Sequence, residues 1–188
     1  MAPGRAHLLG IDDGPFERHA SADVPVVAVL MEGHDLVEGL AVTRFGVDGE
    51  DATSFLADWI RGLRFHAGLQ GIVLGGISVA GLGIVDIPGL AERTGVPVLG
   101  VNRRDPAAST LVSALRAAGL AERIPVALRS PRAFRTGRGL FVSCAGVSDE
   151  RAAALIEASV HKADLPEPLR LAHLVAQAIA RGESRGRV

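Results

Sequence analysis

Apolar positions follow two different rhythms along the chain. In the first part they come in long β-rich runs. Residues 6–11 (AHLLGI) predict a first strand, closed by the turn signal Asp12-Asp13-Gly14-Pro15. Residues 24–31 (VPVVAVLM) and 36–45 (LVEGLAVTRF) predict two more strands, and the polar link Glu32-Gly33-His34-Asp35 predicts a hairpin turn between them. After Gly49-Glu50-Asp51-Ala52-Thr53, residues Phe55, Leu56, Trp59, Ile60 and Leu63 recur at helical spacing, so a helix is expected to run towards Gly68.

Beyond that helix the apolar runs shorten and lose their alternation. Residues 71–74 (GIVL) and 97–101 (PVLGV) suit strands covered on both faces. Helices are expected around 88–94, 107–118, 149–160 and 168–181, and strands at 125–129 and 139–143. Three strands followed by alternating helices and strands is the RNase H-like order. The expected fold is therefore α/β, with a mixed five-stranded core sheet of three antiparallel strands and then parallel crossovers, flanked by helices. A flavodoxin-like sheet would not open with three consecutive strands. No internal repeat or long linker divides the chain, so residues 1–188 are read as one domain.

Composition narrows the chemistry. Aromatic residues make up 4% and Tyr is absent, which disfavours base-stacking platforms. The single Cys144 excludes an internal disulfide and a cysteine zinc cluster. The apolar run in the opening MAPGRAHLLGID is too short for a signal peptide, no window has a membrane helix's length, and a cytoplasmic protein is expected. Net charge is −1, but it is unevenly divided. Residues 1–102 carry 6 Arg against 13 Asp and Glu, whereas residues 103–188 carry 13 Arg and one Lys against 8 Asp and Glu. An acidic half beside a basic half suits a cation held by carboxylates and a phosphate held by guanidiniums; a compositional preference for Arg over Lys would give the same count.

Several residues are candidates for that chemistry. Asp12 and Asp13 stand where the first strand ends, as hard oxygen ligands for Mg²⁺ or Mn²⁺ or, for Asp13, as a turn residue. Asp51 stands at a helix start, where it or Thr53 is an N-cap or Asp51 offers a second carboxylate to the metal. Gly75 to Gly83, with Gly76, Ser78 and Gly81, is either a phosphate-approaching loop or a tight packing turn, and it precedes Asp86. Cys144 is a nucleophile candidate, with His161 or His173 as base, or inert packing. Arg129, Arg132, Arg135 and Arg138, and the tail residues Arg181, Arg185 and Arg187, suit either phosphate contacts or solvated surface. His7, His19, His34 and His66 show no ligand spacing.

Three segments together resemble a known family: Leu9 to Phe16 (LGIDDGPF), Leu74 to Val98, and Pro166 to His173 (PEPLRLAH), with the closing Gly182 to Arg187 (GESRGR). They resemble the archaeal endonuclease dU family, catalogued as domain of unknown function ninety-nine and related to endonuclease V. The likeness runs over nearly the whole chain. It implies an RNase H-like, metal-dependent nuclease acting on DNA with deaminated bases, uracil or hypoxanthine. Gly10-Ile11-Asp12 is similar to the first-strand metal motif of endonuclease V, so Asp12 takes a metal-ligand role. Pro97 to Arg103 is similar to a strand that ends in a catalytic-site lysine, which puts Arg103 there. Residues 166–173 place Arg170 in a shared motif and His173 where endonuclease V has an Asp. The resemblance departs at Leu74-Gly75-Gly76, which lacks a carboxylate, and at Ala145-Gly146, which lacks a histidine. Rebuilding the metal set would then draw on Asp13, Asp51 or Asp86. Nucleic-acid contacts are expected from Gly76, Ser78, Gly81, Arg170, Arg185 and Arg187, with a binding module that no longer cuts as the alternative.

Overall fold

A computed structural model describes residues 5–17, 22–162 and 164–185. The first three strands, β1 (His7–Asp13), β2 (Asp23–Glu32) and β3 (Leu36–Gly46), pair antiparallel in sequence. The helix α1 (Ala52–Gly62) follows, shorter than its periodicity suggests because Leu63 turns extended; one turn of 3₁₀ helix then covers His66–Gly68. Strand β4 (Gly71–Leu74) lies parallel to β1. A two-residue ribbon, β5 (Ser78–Val79) with β6 (Gly83–Ile84), leads to α2 (Ile87–Thr94) and then to β7 (Val98–Asn102), parallel to β4.

The rest of the chain is α3 (Ala108–Ala117), α4 (Ile124–Ala127), β8 (Phe134–Arg135), β9 (Phe141–Ala145), α5 (Asp149–Ser159) and α6 (Glu167–Arg181). The main sheet runs β3-β2-β1-β4-β7-β9-β8. It has seven strands, not five: β9 adds antiparallel to β7 and carries β8. The strand expected at 125–129 is instead the short helix α4. Pro125 stands in its first turn, where a missing N–H costs nothing, so the apolar run continues as helix.

β1 lies inside the sheet, between β2 and β4, and is covered on both sides. Leu9 and Ile11 join the core under α1 and α2, while Leu8 joins the cluster under α5 and α6. Alternate residues of β2 do the same: Val27, Val29 and Met31 pack on Ala172 and Ala176 of α6. Helix α6 approaches β1 very closely. A Cβ on Gly10 would lie 2.1 Å from the Pro168 carbonyl carbon, so only glycine permits this contact. The helix then runs alongside the strand, and a Cβ on Gly14 would meet Ala176 and Ala180. Among the described residues, no helix is long and apolar enough to cross a membrane.

Candidate functional site

The close packing of α6 on β1 brings His173 to the end of the strand. Its Nδ1 lies 2.7 Å from Oδ2 of Asp12. On the other flank of Asp12, β4 is followed by Gly75-Gly76. A Cβ on Gly75 would sit 3.4 Å from Asp12 Oδ1, and one on Gly76 would sit 3.1 Å from Oδ1 of Asn102 at the end of β7. The missing side chains leave room beside a carboxylate oxygen and an amide oxygen. The end of β1, the turn after β4 and one face of α6 therefore meet at Asp12, with the end of β7 on the far side of Gly76.

Asp13 points to the opposite side of β1, as strand alternation demands. It is part-buried, and burial followed by the charge of Asp12 pushes its carboxyl up to about 6; the Ala80 N–H, donating to it, works the other way. His173 is raised above its ordinary value, first by the hydrogen bond to Asp12, against partial burial and the repulsive charge of Arg103. Arg103 is thus close enough to act on the Asp12–His173 pair. Its site role was expected by resemblance alone.

The 75–83 loop is held by the protein's own carboxylates. Asp48 Oδ1 accepts from Leu82 N–H at 2.7 Å, and Asp48 N–H donates to Ala80 O at 2.8 Å. Ala80 is left-handed (φ 50°), a strained conformation for a residue with a Cβ, and these bonds on both sides hold it there. Gly76 and Gly81 also have positive φ, and Ser78 is exposed on β5. With the Ala80 and Leu82 amides already engaged, the loop is the packing turn rather than an open anion cradle. The cavity shared by Asp12, Asp13, Gly75 and Ser78 is about 10 Å³, room for one water and not for an extruded base.

The wider predicted carboxylate set does not assemble. Asp51 caps α1, accepting from Ser54 N–H at 3.3 Å. Asp86 caps α2, accepting from Gly89 N–H, and pairs with Arg129 at 2.9 Å. Both line a separate groove of about 940 Å³ with Arg93 and Arg123, which shares no residue with the small cavity. Among the described residues, neither joins Asp12 and Asp13 in a group of three with ligand atoms within 4.8 Å, and Asp12, Asp13 and His173 do not form such a group by themselves. The helix starts took these two carboxylates because free N–H groups need an acceptor.

The basic candidates are dispersed. Arg170 is bonded to Glu167 at 2.8 and 2.6 Å, while Glu167 is buried and its second oxygen has no partner. Arg138 forms a two-point pair with Glu157. Arg185 is exposed and pairs with Glu183, and Arg187 lies outside the described residues. Cys144 is a buried thiol pushed up to about 11 by burial and by Asp149, whose carboxylate accepts its S–H at 3.3 Å. That is the environment of an inert thiol, not of a nucleophile.

A family model described as Endonuclease dU matches residues 5–180. The chain belongs to the Endonuclease dU family. Its relatives include UPF0215 proteins of Methanothermobacter thermautotrophicus, 36% identical over 183 residues and covering 95% of this chain and 90% of that one, and of Thermococcus gammatolerans, 37% identical with 94% and 93% covered. A crystal structure of an Archaeoglobus fulgidus protein matches with a TM-score of 0.85 at 34% identity, covering 93% of this chain and 98% of the other. Ciona intestinalis endonuclease V, in complex with a 24mer DNA containing an inosine, matches with a TM-score of 0.56 at 16% identity, covering 89% and 82%. This Endonuclease dU family member therefore has the endonuclease V fold, with two additional strands beyond the five expected.

Sequence reading missed two features of this Endonuclease dU chain. Asn102 carries no motif of its own; only the Gly76 approach exposes it. His7, Glu32 and Glu38, from three strands, bring ligand atoms within 4.8 Å of one another at the far end of β1, ~20 Å from Asp13 at strand rise. Their wide separation along the chain gives no ligand spacing to read. Of the other histidines, His66 bonds Thr94 O at 2.9 Å and His34 stacks on His161, while His19 lies outside the described residues.

Proposed function

We propose that this protein is a metal-dependent endonuclease that cuts nucleic acid, with DNA containing uracil or hypoxanthine as substrate. The observation that carries the reading is the Asp12–His173 pair at the end of β1, open on the Gly75 side and within reach of the charge of Arg103, in a family whose model is named for an endonuclease and on the fold of one. The residues fit Mg²⁺ or Mn²⁺ through Asp12: it supplies a hard oxygen with open space beside its Oδ1, while Asp13, on the other face of β1, adds negative charge nearby. Mg²⁺ is commonly held by one or two protein carboxylates together with waters and substrate phosphate, so a single aimed carboxylate is compatible with it. When bound, the ion supplies charge neutralisation at the phosphate and a more acidic water. His173 holds the Asp12 carboxylate in one rotamer, and Arg103 offers positive charge to the phosphate. The unpaired base is recognised outside the 10 Å³ cavity.

A second reading is a nucleic-acid binding module that does not cut. It is favoured by the diversion of Asp51 and Asp86 to helix caps. End-labelled oligonucleotides carrying uracil, hypoxanthine or neither, incubated with Mg²⁺, Mn²⁺ or chelator, separate the two. Metal-dependent cleavage lost in Asp12→Asn is expected. Salt-sensitive binding without cleavage in either metal selects the module, and cleavage that survives Asp12→Asn overturns this site.

A further inference from the structure

His173 has a second partner that Asp12 does not explain. Its Nε2 lies 2.6 Å from Nε2 of Gln177, one helical turn along α6. Gln177 is buried, and its Oε1 accepts the backbone N–H of Arg185 at 2.7 Å, where the tail folds back after the left-handed Gly182 cap. A backbone N–H only donates, so the Gln177 carbonyl must face Arg185 and its NH₂ must face His173. An NH₂ also only donates, so the His173 Nε2 facing it must be bare. A carboxylate only accepts, so the proton belongs on Nδ1, towards Asp12. Three fixed polarities agree on one tautomer.

We propose that Gln177 is a positioning residue that locks His173 as the Nδ1–H tautomer, its own orientation being set by the tail's backbone at Arg185. The tail thereby becomes part of the site: Arg185 N–H, Gln177, His173 and Asp12 form one directed chain of hydrogen bonds. An outer partner of this kind fixes a ligand's orientation. The importance of the chain for Asp12 as a metal ligand rests on the function proposed above; the tautomer does not.

The test is long-range ¹H–¹⁵N spectroscopy of the His173 ring in the metal-free protein at about pH 9, well above the ordinary imidazole range. The wild-type ring is expected to be the Nδ1–H form alone. Gln177→Leu keeps the packing and removes the amide, and a mixture of tautomers is expected. Arg185→Pro removes the N–H and should give a mixture too, whereas Arg185→Ala loses the same guanidinium but keeps the N–H and should match wild type. An Nε2–H ring in the wild type overturns the proposal, as does an unchanged ring in both Gln177→Leu and Arg185→Pro. Mn²⁺ affinity, read by electron paramagnetic resonance, is expected to fall about tenfold in Gln177→Leu. If the tautomer changes but Mn²⁺ affinity does not, the lock stands and the metal role of Asp12 fails.

Discussion

His173 Nδ1 and Asp12 Oδ2 lie 2.7 Å apart although 161 positions separate them in the chain. Helix α6 and strand β1 make this pair between them, and the pair aims the carboxylate on which the proposed chemistry rests. Replacing His173 with Ala should therefore weaken Mn²⁺ binding by about 10- to 100-fold while the fold persists, since the ring is half exposed. Equilibrium titration of Mn²⁺ against wild type and variant, with circular dichroism as the control, checks this; equal affinities would remove His173 from the site.

Asp13 sets a pH dependence in the metal-free protein. Its folded value, about 6, is above the ordinary 3.8, so the folded state binds this proton more tightly than the unfolded chain. The stability it contributes is complete below about pH 4 and is lost as pH rises through 6. Asp13→Asn should match wild type at acid pH and exceed it at pH 8 by about 1 to 2 kcal/mol, partial solvent access allowed for. Urea unfolding at both pH values measures the difference, and an Asn variant less stable at pH 8 would contradict the sign.

The two helix caps should behave as caps. Asp51→Ala and Asp86→Ala are each expected to cost about 1 kcal/mol, a Tm loss of ~2–4 °C in a chain of this size, with Mn²⁺ affinity unchanged. A loss of Mn²⁺ binding in either variant would return that carboxylate to the metal set.

Cys144 should alkylate slowly. With its thiol pushed up to about 11, the reactive thiolate is scarce at neutral pH, and iodoacetamide labelling of the native protein should accelerate only towards strongly alkaline solution. Cleavage activity should survive Cys144→Ser. Rapid labelling at pH 7 that also abolishes activity would revive the cysteine hydrolase reading.

Much of the fold was legible because its signals are local. β-rich apolar runs marked β1 to β3, and short unbroken ones marked β4 and β7, within a residue or two of their ends. The run at 125–129 misled because Pro125 and its neighbours read equally well as a strand or as the first turn of a helix. The site was legible only where a motif lay within one segment, as at Asp12-Asp13. Asn102 became visible through a contact made by Gly76, a residue defined by lacking a side chain. Asp51 and Asp86 looked like ligands because an acid before a helix reads alike in both roles; only the direction of the carboxylate separates them.

Gly10 fixes the spacing of the site without contributing an atom to its chemistry. With the Pro168 carbonyl carbon 2.1 Å from where its Cβ would be, even a methyl group must lever α6 off the sheet. The displacement would arrive at His173 a turn later, pulling the imidazole from Asp12 while strands and helices stay recognisable. An inactive protein of ordinary shape is what a Gly10→Ala substitution should produce, so the tolerance of this site to change depends on the thinnest residue of the strand that carries it.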